Sequence, residues 1–305
     1  MTKPKLSFWQ IWNLSFGFLG VQIGYSLQNS NTSSIFESLG ADVSHLSYFW
    51  LAAPLAGMIV QPIVGLFSDG TWTRWGRRIP YILGGSLISA LALVLMPNCP
   101  KLLAFAPLAM GAFILLFMDL SFNVTMQPFR ALVADMLDDS QKTQGYVVQT
   151  FLINLGAVVG AILPLVMTWL GVSDEAAPGH VSPHIAYSYY AGGAILLLTV
   201  LVTSFKTREY PPGEFARYNN LSEEDAKPVS FVGLMRNVPG VMVRLGVTQF
   251  FSWAALFLMW TYLKPAITGV VTDHATGEVL SAGATQTWVG VLNGEIGRAS
   301  CRERV

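Results

Sequence analysis

The sequence predicts an all-α membrane protein that crosses the bilayer several times, and three observations carry that prediction. Hydrophobic residues make up 52% of the 305 residues and charged ones 12%. Soluble domains carry roughly a quarter charged residues, so this chain lacks the charge to cover a water-facing surface. Seven apolar runs approach the roughly 20 residues needed to cross a hydrocarbon core of ~30 Å. Basic residues are divided very unequally between alternate connections, as in multi-pass membrane proteins.

The runs lie near 11–30, 46–67, 79–96, 102–127, 147–170, 187–205 and 241–262. The start, MTKPKLSFWQIW, has a basic flank before an apolar run but no small-residue cleavage site, so the first run is expected to remain as a span. Thirteen Lys and Arg residues, among them Lys3, Arg78, Arg130 and Lys206, fall on one side of the membrane, and only Lys101 and Lys264 on the other. This bias places the N-terminus in the cytoplasm and argues against a seven-helix receptor, whose N-terminus lies outside. An eighth run begins at Trp288-Val289-Gly290-Val291.

Four segments follow. Residues 1–205 are expected to form a six-helix transmembrane bundle. Residues 206–237, with Pro211-Pro212 and Glu223-Glu224-Asp225, read as a central cytoplasmic loop. Residues 238–294 begin a second bundle. Residues 295–305, EIGRASCRERV, carry five charges where the eighth run should be gathering apolar residues. This string resembles the translation of a common short-read sequencing adapter and is expected to be an artefact. Gly156 and Gly160, Gly192-Gly193, and Pro54, Pro62 and Pro164 are candidate packing or bending points.

Composition also excludes functions. The formal net charge is zero with no basic patch, so no nucleic-acid partner is expected. Cys99 and Cys301 have neither a disulfide framework nor metal-ligand spacing, and no phosphate-binding loop or hydrolase triad can be drawn. No cofactor, no metal and no enzyme activity are expected.

The connection after the second run reads Gly65-Leu66-Phe67-Ser68-Asp69, continuing through Arg74, Gly76, Arg77 and Arg78 to Pro80. A carboxylate able to pair with arginines or cap a helix end makes this loop a candidate conformational latch, formed by Gly65, Asp69, Arg74, Gly76, Arg77 and Arg78. In the fourth run Asp119 lies among apolar neighbours, and an intramembrane carboxylate is a functional candidate. Buried carboxylates favour their neutral form, so Asp119 is placed to take up a proton outside and release it inside, and to bond sugar hydroxyls. At about 100° per residue, Asn123 and Arg130 share one face with Asp119, although Arg130 lies about 16 Å along the helix.

In the first run Gln22, Ser26 and Asn29 form a polar stripe suited either to neutral polyols or to bonds between helices. His45 can serve as a protonatable group or a surface residue. Trp253, Phe257, Trp260 and Tyr262 can stack on a sugar ring or sit in an aromatic belt. Asp135 can join the charges around Arg77 and Arg78.

The loop from Gly65 to Arg78 resembles the signature loop of the major facilitator superfamily. Gly20-Val21-Gln22 with Gly24-Tyr25 and Leu27-Gln28 resembles the first helix of its sucrose and glycoside symporter branch. His45, Trp50-Leu51, Pro54, Gly57 and Gln61-Pro62 continue the likeness, and Asp119, Asn123, Pro128, Arg130, Ala134 and Asp135 are similar to its helix-four motif. The resemblance implies a major facilitator fold whose first six helices are present with the start of the C-terminal bundle. It also implies alternating access, with Asp119 and Arg130 linked to proton coupling; the candidate sugar contacts, read from the residues, are Gln22, Ser26, Asn29, Asn123 and Trp253. From Leu256 to Tyr262 no acid stands where plant members carry acidic residues.

The expected function is therefore a proton-coupled symporter of a neutral disaccharide such as sucrose or maltose. A sodium-coupled or facilitative carrier and a non-transporting membrane sugar sensor are the alternatives. The expected partners are sugar, protons and lipid, in a monomer. Short loops and the lack of a targeting peptide point to a bacterial inner membrane.

Overall fold

The computed structural model describes residues 3–41, 52–177, 179–219 and 238–270, with 285, 288 and 289. His45, most of the segment 206–237, most of the eighth run and the tail 295–305 lie outside the described residues. Nine helices are described: α1 Phe8–Ser38, α2 Ala52–Gly70, α3 Ile79–Leu95, α4 Cys99–Leu102, α5 Pro107–Met136, α6 Asp139–Trp169, α7 Pro183–Lys206, α8 Pro212–Tyr218 and α9 Gly240–Val270. A 3₁₀ turn over Met96–Asn98 joins α3 to α4.

Five segments are long and apolar enough to cross a membrane: Ile79–Leu102, Pro107–Met136, Asp139–Trp169, Pro183–Lys206 and Gly240–Met259. The described parts of the first two runs, α1 and α2, are also helical, and α1 is not among these five. In α1 the reason is visible, because Gln28, Asn31, Thr32 and Ser33 dilute its hydropathy while lying buried against other helices. A helix can carry polar residues through a bilayer when they face protein rather than lipid.

The helix ends follow local chemistry. Ser7 caps α1 in a capping box: its backbone N–H donates to Gln10 Oε1 at 2.8 Å, and Ser7 Oγ accepts from the Gln10 N–H at 3.4 Å. Asp138 caps α6, accepting from the Ser140 N–H at 3.2 Å. Pro107 and Pro183 stand at first positions of α5 and α7, where the missing N–H costs nothing.

At the centre, α1 packs between α6 and α7, and α3 packs against α5 and α7. The α1–α6 contact depends on Gly156 and Gly160. A Cβ added at Gly156 would lie 2.4 Å from Leu19 O, and one at Gly160 2.5 Å from Ile23 O. The pair therefore brings two backbones together, as small residues four apart do in membrane helices. Ser26 Oγ donates to Ala157 O at 2.7 Å across the same seam. On the other side of α1, Phe18 stacks on Phe129 of α5 with centroids 5.3 Å apart. Tyr189 of α7 is fully buried and donates its hydroxyl to Leu27 O at 3.1 Å.

Candidate functional site

Three helices bring polar side chains together in the apolar interior. Asp119 of α5 is 2% exposed and Gln28 of α1 is fully buried. The Gln28 Nε2 group donates to Asp119 Oδ1. Asn123, one turn further along α5, donates its Nδ2 to Asp119 O at 2.8 Å and accepts at Oδ1 from Gln61 Nε2 of α2 at 2.6 Å. Among the described residues, two acceptors in this cluster, Asp119 Oδ2 and Gln28 Oε1, are buried with no hydrogen-bond partner. A buried polar atom left unsatisfied costs about 1–3 kcal/mol. A proton on the Asp119 carboxyl supplies a donor where both unpartnered oxygens of the pair are acceptors.

A second constellation lies at the end of the bundle where α2 turns into α3. Thr73 and Gly76 exchange backbone hydrogen bonds of 3.1 Å, closing a tight turn with Gly76 at φ +113°. That backbone conformation favours glycine, and a Cβ there would also lie 2.5 Å from Glu209 Oε1. Glu209, three residues beyond α7, accepts from the backbone N–H groups of Arg77 at 3.0 Å, Arg78 at 2.8 Å and Ile79 at 2.9 Å. It thus caps the N-terminus of α3, where free N–H groups and the helix dipole favour a negative charge.

The side chains at this end form a network. Asp135, at the end of α5, accepts from Arg77 at 2.5 Å and from Arg78 Nε at 2.9 Å. Arg78 also pairs with Asp69 at 2.5 Å and donates to Ser68 Oγ at 2.6 Å. The Arg77 guanidinium lies 4.2 Å from the centroid of the Phe215 ring of α8 and 5.6 Å from that of Trp72. One loop is therefore tied to α5, to the segment after α7 and to α8.

Comparison with known proteins gives this architecture a family. The family described as MFS/sugar transport protein matches residues 35–276. The chain belongs to it. Among curated relatives, the sucrose transport protein SUT1 of Oryza sativa subsp. japonica is 27% identical over 267 residues, covering 78% of this chain and 49% of the relative. The general alpha-glucoside permease of Schizosaccharomyces pombe is 25% identical over 283 residues, 86% of this chain and 48% of the permease. The sucrose transport protein SUC3 of Arabidopsis thaliana is 31% identical over 157 residues, 46% of this chain and 26% of the relative. The chain spans about half the length of the first two.

As a member of this sugar transport family the chain is a multi-pass membrane protein, and the candidate residues distribute unevenly. Asp119 and Asn123 meet in the polar cluster. Arg130 shares their helix but is exposed, with no ion pair among the described residues. Gln22, Ser26 and Asn29 are half-buried, and Ser26 is spent on the α6 backbone. Trp253 is 54% exposed on α9. In the loop, Asp69, Gly76, Arg77 and Arg78 make the contacts above, while Arg74 is exposed and Gly65 meets no neighbouring side chain within 4 Å of an added Cβ.

Among the residues that stand in these sites without having been predicted there are Gln28, Gln61 and Glu209. Gln28 lies about 120° around α1 from Gln22, so the polar stripe pointed away from it. A signal was present, because Gly17 and Gly24 fall within about 40° of Gln28 and meet Phe129 and Phe122 of α5. The glycine face is packed against α5 and α7, and Gln28 continues it.

Proposed function

We propose that the chain is the first part of a proton-coupled symporter that carries a neutral sugar or glycoside across a cytoplasmic membrane by alternating access. The printed names of its relatives, sucrose transport proteins and an alpha-glucoside permease, support a disaccharide or glycoside as substrate. The observation that carries the proton reading is the buried Asp119–Gln28 pair, with two unpartnered acceptor oxygens and one protonatable group. Protonation of Asp119 satisfies the pair with the carboxyl held between helices, and release of the proton leaves a charge that favours a different arrangement of those helices. Asn123 and Gln61 extend the cluster with amide donors and acceptors suited to sugar hydroxyls. Arg130, on the same face, balances the charge when Asp119 is ionised.

In this reading the end bearing Glu209, Asp135, Arg77 and Arg78 faces the cytoplasm with the N-terminus, the protein sits in a bacterial inner membrane as a monomer, and the loop network stabilises one conformation of the cycle. Gly65, Asp69, Arg74, Gly76, Arg77 and Arg78 form the latch, with Glu209 and Asp135 as its anchors. Trp253 with Gln22, Ser26 and Asn29 contributes further sugar contacts once the second half is in place.

The test uses the gene recovered at the full length of its relatives, expressed in cells lacking sugar permeases. Labelled sucrose and maltose uptake is measured with and without a proton uncoupler, beside Asp119→Asn. Uptake abolished by both treatments is expected. Uptake that survives both removes Asp119 from the mechanism and leaves a facilitative carrier, and dependence on sodium alone replaces the coupling ion.

A further inference from the structure

Helices α1 and α7 cross in close contact at Gly17 and Thr203, where the Gly17 N–H donates to Thr203 Oγ1 at 2.7 Å and Thr203 Oγ1 donates to Asn13 O at 2.8 Å. The end that carries the loop network follows three residues further along α7. A cavity of about 690 Å³ opens there, with Trp9 and Trp12 among its walls and Met136 of α5 also lining it. Lys206, the last residue of α7, and Arg208, two residues beyond it, are exposed and stand on its rim. Its size lies within the range of small-ligand sites, ~300–1,000 Å³.

The chemistry of this cavity is divided. Trp9 is 73% exposed and forms with Phe8 and Trp12 a cluster of rings within 6.5 Å of one another. Aromatic groups of this kind settle at the level of lipid headgroups. The rim is cationic, and Lys206 and Arg208 make no ion pair among the described residues, whereas Arg77, Arg78 and Lys142 each have an acidic partner. The carboxylate next to Arg208, that of Glu209, is turned to the N-terminus of α3 instead. Two uncompensated cations over an amphipathic aromatic wall match a lipid with an anionic phosphodiester and acyl chains.

We propose that this cavity is a binding site for the headgroup of an anionic phospholipid, with Lys206 and Arg208 on the phosphodiester and Trp9 and Trp12 along the glycerol and upper acyl chains. Occupancy bridges the α1 and α7 ends and braces the segment that carries Glu209 into the loop network. The site goes beyond sugar transport and does not depend on the coupling ion. Its place in the inner leaflet rests on the orientation proposed above, but its affinity does not.

The experiment is native mass spectrometry of the full chain in neutral detergent, titrated with phosphatidylglycerol, with phosphatidylcholine of the same chains, or with inorganic phosphate. Selective retention of phosphatidylglycerol is expected, and Lys206→Ala with Arg208→Ala lowers its affinity by roughly 30-fold. The pair Lys206→Arg with Arg208→Lys keeps it, which separates charge recognition from misfolding. Removing the same charge elsewhere, by Lys142→Ala with Arg217→Ala, leaves it unchanged. Equal retention of phosphatidylcholine, equal loss in the Lys142/Arg217 variant, or binding of phosphate as tight as that of the lipid overturns the proposal.

Discussion

At Asp119 the two carboxylate oxygens have different surroundings: Oδ1 accepts from Gln28 and Oδ2 meets no donor. An amide in place of the acid keeps the shape and brings its own N–H₂, so Asp119→Asn is expected to retain thermal stability in detergent while losing coupled uptake. Gln28→Leu removes the donor and strands the carboxyl, and is expected to cost about 1–3 kcal/mol of stability, read as a lowered midpoint in a detergent melt. An Asn variant that unfolds as readily as the Leu variant would assign the pair to packing alone.

Glu209 presents the same logic at the bundle's end. Burial is the largest influence on it and pushes its carboxyl above the ordinary value of 4.5, against the three backbone N–H donors that favour the charged form. The packed state therefore holds a proton more readily than a state in which Glu209 is in water. As pH falls from the raised value towards 4.5 the packed state gains stability, and above the raised value that contribution is lost. Hydrogen exchange at the Arg77, Arg78 and Ile79 amides, corrected for intrinsic rates, is expected to slow across this window in the native protein and to lose the trend in Glu209→Gln. Faster exchange on acidification would contradict the assigned direction.

Among the elements, α1 is the most constrained helix, because α5, α6 and α7 all contact it. Its seam with α6 tolerates no side chain at Gly156 or Gly160, since each added Cβ would meet a carbonyl oxygen of α1. Gly156→Leu is expected to destabilise the bundle by about 3 kcal/mol, the upper end of overpacking costs. Gly84→Leu is the matched control, because an added Cβ at that α3 position meets nothing within 4 Å. Comparable melting of the two variants would show that α1 and α6 separate at little cost. The loop between α2 and α3 differs in kind, since carboxylates from α5 and from the segment after α7, with the Phe215 ring of α8, set its shape.

For the molecule as a whole, the exposed apolar surface is informative. Phe250, Phe251 and Trp253 on α9 are each more than half exposed, as expected for a helix whose environment is lipid or further protein. The division of basic residues predicts how the bundle lies across the membrane. Alkaline phosphatase fused after residue 105 is expected to be active outside the cell, and fused after residue 219 inactive. Activity at both points, or the reverse pattern, would overturn the assigned orientation.

Hydropathy and charge are sums over neighbours along the chain, so the all-helical membrane class was legible from residues alone, and the family was legible from the resemblance of its loop and helix motifs. The signature loop and the intramembrane Asp119 were legible for a related reason, since a charge at an apolar position stands out without any knowledge of what it touches. Partners were not legible. Gln28 meets Asp119 across 91 residues, Arg78 meets Asp135 across 57, and Ile79 meets Glu209 across 130. Helical periodicity gives the faces of one helix but not which face a distant helix will cover, and on α1 the more polar stripe was not the one turned to α5. Which buried polar groups are satisfied, and which oxygens are left wanting a proton, is decided only when close-packed helices fix the crossing points that bring such residues within hydrogen-bond reach.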